Sequence, residues 1–431
     1  MAVACCRTTV PDAGSQQPRA KMFAMPPPAS LRSSFAWTLT GNVVYAAGQW
    51  ALLSLIAKLG SAEMLGEYAL AVAITSPVAM LSHLNLRAVI ATDIGGKHPF
   101  GDYVVVRLGA TLLGLAGIAL LAFVTAPTAQ MILIILAVGA AQSAENVSDT
   151  FYGALQRQDR MDKIARSMMG RAILSAAALG IVLWFTRNIA YATFALAVAR
   201  IVPLIVYDVR TGESLHRTSV TEQWTILRTA LPLGAALMLI TLNTNLPRYA
   251  IERSLGTSEL GGFAAAASFL TTGNTVVNAL GQSATPRLAR FYAAGDRAGF
   301  RHLALRLAAI AAGLGAAGAA FALAAGVPLL RIVYRADFTR YAGLLTLIMI
   351  AAIPIYVAGM LGYLITSVRA FQAQLPLFCL VAATCFAASW MLVPRWGLIG
   401  GPAALGLAAC VQAAGELAIL SRAFRRPETA S

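Results

Sequence analysis

The chain contains about twelve long apolar stretches, and this feature limits its possible folds more than any other. Each is roughly 18 to 25 residues long, enough for a helix to cross a hydrocarbon core about 30 Å thick. A bilayer core offers backbone groups no water, and the stretches lack the alternation of barrel strands, so helices are predicted. The predicted spans are residues 35–57, 67–86, 103–125, 129–150, 164–185, 188–207, 225–247, 262–285, 303–326, 341–366, 374–393 and 398–421.

Composition supports a membrane location. Of the 431 residues, 58% are hydrophobic and 12% are charged. A soluble fold of this length needs more charged residues to cover its surface. The chain is therefore predicted to be an all-α polytopic membrane protein.

A six-residue segment occurs twice and indicates an internal duplication. Leu59-Gly60-Ser61-Ala62-Glu63-Met64 is echoed by Leu255-Gly256-Thr257-Ser258-Glu259-Leu260, and each copy stands between two apolar stretches. Six spans precede the polar segment after Tyr207 and six follow it, so both halves begin on one side of the membrane. Two six-helix lobes, related by a parallel repeat, are expected to rock about a site between them. The predicted division is a disordered cytoplasmic tail (1–34), an N-lobe (35–207), a cytoplasmic linker (208–224), a C-lobe (225–421) and a second cytoplasmic tail (422–431).

The net charge of +15 is distributed in a way that predicts topology rather than nucleic-acid binding. With the N-terminus in the cytoplasm, 24 Lys and Arg residues fall on the cytoplasmic side and 8 on the other, with Arg200 inside a span. The positive-inside rule then places both termini in the cytoplasm. The cytoplasmic clusters also suit anionic membrane lipids. They are Arg157, Arg160, Lys163 and Arg166, and Arg287, Arg290, Arg297 and Arg301.

The sequence contains no convincing nucleotide-binding, metal-binding or catalytic motif. The Gly-rich segment from Gly313 to Gly318 follows no strand and lies within a span, where small residues allow close helix packing. The four histidines and five cysteines show no spacing for a metal site or a catalytic triad. No cofactor, metal or enzymatic activity is predicted.

Polar side chains inside the spans form stripes at helical spacing. Such residues are costly in hydrocarbon unless they face a partner or water. They are predicted to line one wet central cavity between the lobes, or alternatively to join helices by hydrogen bonds. The predicted cavity-lining residues are Asn42, Tyr45, Gln49, Asn243, Asn245, Arg248, Thr271, Asn274, Asn278 and Gln282.

Arg200 is predicted to be the only basic residue that lies deep within a span. Its guanidinium could hold a phosphate through a bidentate contact. Equally, it could form a structural ion pair with Glu145, Asp149 or Asp208.

The first spans carry a family resemblance. Thr40-Gly41-Asn42, Lys58-Leu59-Gly60-Ser61 with Gly66-Glu67-Tyr68-Ala69, and Leu84-Asn85-Leu86-Arg87-Ala88 with Ala91-Thr92-Asp93 are similar to the polysaccharide or O-antigen flippase branch of the multidrug/oligosaccharidyl-lipid/polysaccharide (MOP) exporter superfamily. Similarity of layout extends over residues 35–424.

This resemblance implies a flippase that moves an isoprenoid-diphosphate-linked oligosaccharide to the periplasmic leaflet of a bacterial inner membrane. Ion coupling is expected at Asp93, Glu145, Asp149 or Glu416. Lipid-linked oligosaccharide, anionic lipids, and polysaccharide polymerase and export machinery are the expected partners. The alternatives are a cation-coupled multidrug antiporter of the same superfamily and a membrane-embedded polymerase or glycosyltransferase.

Reporter fusions test the topology. Alkaline phosphatase fused after Ser254 is expected to be active, because that loop is predicted to be periplasmic, and a fusion after Arg217 is expected to be silent. The reverse pattern of enzyme activity would contradict the twelve-span arrangement.

Overall fold

The computed structural model describes residues 31–93, 98–211, 219–368, 370 and 373–425, and no strand occurs in these ranges. The predicted tail of residues 1–34 falls mostly outside the described residues, although α1 already begins at Leu31. Most of the predicted linker forms helix: a π-helical turn at Leu204–Asp208 leads into α8, and α9 begins at Val220. Residues 212–218 between them lie outside the described ranges.

Twelve long α-helices and two short ones make up most of the described chain, together with the π-helical turn and 3₁₀ turns at Ala336–Tyr341 and Gly397–Ile399. Each predicted span overlaps one long helix, which confirms the all-helical fold. The helices are α1 (Leu31–Leu59), α2 (Ala62–His83), the short α3 (Leu86–Thr92), α4 (Phe100–Thr125), α5 (Ala129–Arg157), α6 (Met161–Thr186), α7 (Ile189–Pro203), the three-residue α8 (Val209–Thr211), α9 (Val220–Leu255), α10 (Thr257–Ala293), α11 (Arg297–Val333), α12 (Ala342–Ser367), α13 (Gln374–Trp396) and α14 (Gly400–Arg425).

Ten segments of the described chain are long and apolar enough to cross a membrane. One of them joins α13 and α14, which are separated by a break at Gly397, where φ is +60°. Helix α10 has 37 residues but is not among the ten, so its polar composition rather than its length excludes it. It is the helix that carries the stripe from Thr271 to Gln282.

Short polar caps explain why successive helices are separated by so few residues. Ser61 accepts a hydrogen bond from the backbone N–H of Met64 at the start of α2 (3.2 Å). Asn188 does the same for Ala190 in α7 (2.8 Å). Such caps satisfy backbone donors that the first helical turn leaves free, so one or two residues suffice to reverse the chain.

The two halves repeat one packing pattern. In the first half α1 packs on α6, α6 on α7, α5 on α7, α2 on α5 and α4 on α5. In the second half the corresponding pairs are α9 with α13, α13 with α14, α12 with α14, α10 with α12 and α11 with α12. The same connections in the same order confirm a parallel repeat, and we call the two bundles the N-lobe and the C-lobe.

The lobes meet where the two sequence echoes lie. A Cβ atom on Gly66 of α2 would stand 1.8 Å from the carbonyl oxygen of Thr257, and one on Gly261 of α10 would stand 1.9 Å from that of Ala62. Only glycine allows two helix backbones to approach so closely. We call this end of the molecule the echo end, and the opposite end, where residues 211 and 220 lie, the linker end. Arg335 also bonds Gly60 O across the lobes at the echo end (3.1 Å).

Towards the linker end the two seams between the lobes differ. Helix α9 packs along α2: the Tyr249 hydroxyl donates to Ala73 O (2.5 Å), and Gly234 lies against the backbone at Leu81. The contact between α1 and α10 is small and centres on Trp50, whose indole N–H donates to Ser268 (3.0 Å). Beyond Trp50, the side chains of Leu39 and Val43 on α1 and Val276 on α10 are exposed. The molecule is therefore closed at the echo end and open between α1 and α10 towards the linker end.

Substitution of either crossing glycine by alanine is expected to open the echo end. Overpacking costs about 1–3 kcal/mol, which shifts the ratio of closed to open molecules by roughly 5- to 150-fold. Spin labels at Glu63→Cys and Arg253→Cys, in a protein whose native cysteines are replaced by alanine, report the separation by pulsed EPR.

Gly66→Ala and Gly261→Ala should both lengthen the measured distance. Gly109→Ala is the matched control, because no atom lies within 4 Å of a Cβ built there. An unchanged distance in Gly66→Ala would show that the crossing does not hold the lobes together.

Candidate functional site

A cavity of about 390 Å³ lies inside the N-lobe. Its walls come from α1, α2, α3, α5, α6 and α7. The lining residues are Tyr45, Gln49, Tyr68, Val72, Ser76, Ala79, Met80, His83, Arg87, Gln142, Glu145, Asn146, Asp149, Tyr152, Met168, Arg171 and Arg200.

One face of α5 supplies the polar wall. Gln142, Glu145, Asn146, Asp149 and Tyr152 recur at intervals of one or three residues, which places them on the same side of a helix. Asn146 anchors this face, because its amide donates to the carbonyl oxygen of Ala79 on α2 (2.9 Å).

Close packing of α1 on α6 brings two further polar groups to the cavity. Gly41 and Gly48 lie directly against Ala165 and Ala172, with less than 3 Å between a built Cβ and the alanine side chain. The neighbouring face of α1 then presents Tyr45 and Gln49, one helical turn apart, to the cavity.

Arg200 of α7 is held in a four-residue network. Its guanidinium lies 2.7 Å from Glu145 Oε2 and 3.1 Å from Gln49 Oε1. The Gln49 amide donates to the Tyr45 hydroxyl (2.5 Å), and that hydroxyl donates to Glu145. The ring of bonds fixes the arginine in the cavity wall, where Arg200 Nε has no partner.

A second charged group lies nearer the linker end. Arg87 bonds Asp149 Oδ1 (3.1 Å) and Gln156 Oε1 (3.0 Å), and His83 Nε2 lies 3.0 Å from Asp149 Oδ2. The Arg87 guanidinium also lies over the Tyr152 ring, 5.7 Å from its centre. Arg87 therefore joins α3 to α5 at the wall of the cavity.

A third pair, between Arg171 of α6 and Asp208, is almost completely buried. Arg171 Nη2 lies 2.6 Å from Asp208 Oδ2 and 2.5 Å from Ser148 Oγ, and Ser167 donates to Asp208 Oδ1 (2.6 Å). Asp208 closes the π-helical turn that follows Pro203, a distortion that often marks functional positions.

The cavity wall thus combines three arginines with the carboxylates of Glu145 and Asp149, and Asp208 pairs with Arg171 from outside the lining. Each guanidinium keeps N–H groups beyond its ion pair, and Arg171 Nε and Arg200 Nε are buried without a partner. Guanidinium groups bind phosphate with two parallel hydrogen bonds. The arrangement suits an anionic, sugar-bearing headgroup, with tyrosines and amides available for the sugar.

The predicted site residues divide between the lobes. Tyr45, Gln49 and Arg200 line the cavity, as do the acidic Glu145 and Asp149. Asn42 is exposed on α1, one turn before Tyr45. Asp93 lies apart from the cavity lining, where Tyr103 donates to it (3.3 Å). The two alternatives for Arg200 are partly resolved, since it forms the ion pair with Glu145 and also faces the cavity.

The predicted C-lobe residues do not line this cavity. Asn245 is buried and bonds its own helix at Thr241 O (2.8 Å), and Asn278 accepts from Tyr363 (3.4 Å). One polar atom of Asn243 and one of Arg248 are buried without a partner. Asn274 is half-buried, whereas Thr271 and Gln282 are exposed on α10. Their assignment to a shared central cavity stays a prediction.

Two further arginines are buried that the sequence pattern did not predict to be so. Arg107 is 0% exposed and bonds Thr150 Oγ1 (2.7 Å) and Ser82 O (2.9 Å), and Arg171 is 2% exposed. The charge count assigns both to cytoplasmic loops, so the prediction that Arg200 is the only deep basic residue is wrong. Their position inside the predicted spans 103–125 and 164–185 is the signal that identifies them.

Comparisons with known proteins agree with this architecture. The capsular polysaccharide biosynthesis protein CapF of Staphylococcus aureus is 23% identical over 373 residues, covering 85% of this chain and 93% of CapF. A multidrug resistance MATE family transporter of the MOP superfamily, in an inward-facing conformation, superposes with a TM-score of 0.72 at 14% identity, covering 90% of this chain and 98% of the transporter.

The lipid II flippase MurJ, in an inward closed conformation, superposes with a TM-score of 0.68 at 11% identity, covering 90% of this chain and 89% of MurJ. At these identities the likeness to solved structures shows the fold. The fold neighbours are transporters and flippases, and the apolar helices belong to a multi-pass membrane protein.

The family model described as polysaccharide biosynthesis protein matches residues 31–292, more than half of the sequence. The chain belongs to this family.

Proposed function

We propose that the protein is a flippase for an isoprenoid-diphosphate-linked oligosaccharide, which it moves from the cytoplasmic to the periplasmic leaflet. The observation that carries the proposal is the N-lobe cavity with Arg87, Arg171 and Arg200 in its wall. A sugar-diphosphate headgroup cannot cross hydrocarbon unaided. Fixed guanidinium and amide groups would replace its water while the lipid tail remains in the bilayer.

The open direction of the molecule supports uptake from the cytoplasm. The echo end is closed by the glycine crossing, and both solved structures named above are in inward conformations. In an inward state, a closed echo end would face the periplasm and both termini would lie in the cytoplasm, which agrees with the charge distribution.

The gap between α1 and α10 supports a lipid-linked substrate. It opens the interior sideways to the bilayer, and its edges carry exposed apolar residues such as Val43 and Val276. A headgroup could enter the protein there while an isoprenoid chain stays in lipid. A free sugar would need no such opening.

The multidrug antiporter is disfavoured by the pairing of charges. A cationic drug needs a free carboxylate, but both acidic residues of the cavity wall are held by arginines, Glu145 by Arg200 and Asp149 by Arg87. CapF, by its name, acts in capsular polysaccharide biosynthesis, which favours a glycan substrate here.

Partners follow from the same proposal. Exposed Arg287, Arg290, Arg297 and Arg301 at the linker end would meet anionic headgroups of the cytoplasmic leaflet. A polymerase and export machinery would receive the flipped oligosaccharide.

Substitutions at Arg200 test the binding role. Arg200→Ala is expected to reduce surface glycan at least tenfold, and Arg200→Lys to restore part of it, because lysine keeps the charge but loses the bidentate contact. Surface polysaccharide and membrane protein level are measured together. Arg331→Ala, an exposed arginine near the echo end, is the control and should behave as wild type.

A double variant separates binding from structure. Arg200→Ala alone leaves the half-buried carboxylate of Glu145 without its counter-charge, which destabilises the protein. Arg200→Gln with Glu145→Gln removes both charges and should keep the protein level normal while glycan export stays low. Normal export in this double variant would show that the pair is structural and that Arg200 does not bind substrate.

Photo-crosslinking tests the sideways opening. Benzoylphenylalanine at Val43 or Val276 should capture an isoprenoid-linked glycan, whereas the same residue at Leu113, which is 77% exposed on α4, should capture bulk lipid only. Equal capture of the glycan at all three positions would contradict entry between α1 and α10.

A further inference from the structure

Glu416 is a buried carboxylate that lies outside the proposed substrate site. It lies on α14 of the C-lobe and is 0% exposed. Its Oε1 accepts a hydrogen bond from Gln412 Nε2 (3.0 Å), one turn earlier, and its Oε2 is buried with no partner.

The surroundings of Glu416 provide no positive charge. On α12 the backbone of Gly362 lies against Oε1, and on α13 Leu377 packs against Gly415. In the described ranges, none of the ionisable groups on α14 or on the helices packed against it forms an ion pair with Glu416. These groups are Tyr356 and Tyr363 on α12, Cys379, Cys385 and Arg395 on α13, Glu222, Arg228, Arg248, Tyr249, Glu252 and Arg253 on α9, and Cys410 and Arg422 on α14.

The repeat supplies a direct comparison. A shift of 208 residues carries Asp208, also 0% exposed, onto Glu416. The same alignment, in which 208 is added to each residue number, matches five buried residues of α7 with five buried residues of α14. The α7 residues are Ala192, Thr193, Leu196, Ala197 and Arg200. The α14 residues, in the same order, are Gly400, Gly401, Ala404, Leu405 and Ala408. Asp208 is neutralised by Arg171 of α6, whereas Glu416 has no ion-pair partner among the described residues and its Oε2 is buried without a hydrogen bond. Each lobe thus buries an acid near the linker end, and in the described ranges the acid of the N-lobe has a counter-charge whereas Glu416 has none.

An isolated charge in such a place is too costly to persist, so the side chain takes up a cation. A proton fits better than a metal ion, because the group at Oε1 is an amide N–H donor, Gly362 has no side chain, and the described residues place no cluster of metal-ligating side chains there.

We propose that Glu416 is the proton-binding site of the C-lobe. It is protonated in this conformation and releases its proton to water when α14 moves against α12, so each cycle of the lobes carries a proton. The inference rests on the proposed alternating movement, but not on the identity of the glycan.

Infrared spectroscopy tests the bound proton without any substrate. Purified wild-type protein at neutral pH should show the C=O band of a protonated, buried carboxylic acid. The band should be lost in Glu416→Gln, shifted in Glu416→Asp, and unchanged in Asp337→Asn, whose carboxylate is exposed. An identical spectrum in wild type and in a monodisperse Glu416→Gln would overturn the proposal.

Pulsed EPR tests the coupling to movement. With the labels at residues 63 and 253, the distance distribution of the wild type should shift between low and high pH, and Glu416→Gln should show the low-pH distribution throughout. Asp337→Asn should keep the wild-type shift. A pH-dependent shift retained in Glu416→Gln, or a shift that follows sodium concentration at fixed pH, would contradict proton binding at Glu416. Neither experiment measures glycan export, so failure here leaves the proposed substrate unaffected, and loss of the substrate assignment leaves Glu416 unaffected.

Discussion

The pairing of each arginine in the cavity wall with a carboxylate is the interaction on which the N-lobe depends. Arg87, Arg171 and Arg200 are held by Asp149, Asp208 and Glu145 respectively. These pairs tie α5 to α3 and α7, and α6 to the turn after α7, around a polar space inside an otherwise apolar bundle. An unpaired guanidinium at this depth would cost several kcal/mol. The pairs therefore allow the protein to keep three guanidinium groups inside a membrane bundle without losing its fold.

The two duplicated lobes share one helical scaffold but differ in the polar groups that they bury. Corresponding helices pack in the same order in both lobes, and the lobes share a reciprocal glycine crossing at the echo end. The N-lobe interior contains paired charges, whereas the described part of the C-lobe carries amide side chains and Glu416, which has no counter-charge. Under the proposed function, the N-lobe binds the headgroup and the C-lobe binds the proton.

Much of the fold could be predicted from the sequence, because hydrocarbon leaves helices little alternative and because the echo at Leu59 and Leu255 shows the repeat directly. Tyr45, Gln49 and Arg200 were predicted for a central cavity between the lobes, since polar groups at helical spacing within a span need a polar neighbour, and in the structure they line a cavity inside the N-lobe. The spacing of polar residues along a helix does not determine which cavity their face lines. The location of the polar stripe on α10 relative to the cavity could therefore not be predicted. Arg107 and Arg171 were missed because an arginine near the edge of a span looks the same whether it reaches water or turns inward.

A structure with an isoprenoid-diphosphate-linked sugar bound in the inward-facing state tests the central claim most directly. The account predicts the diphosphate in the N-lobe cavity, within hydrogen-bonding distance of Arg200, with the lipid tail leaving between α1 and α10. A headgroup bound among α10, α12 and α14 of the C-lobe, with the Arg200–Glu145 pair untouched, would contradict it.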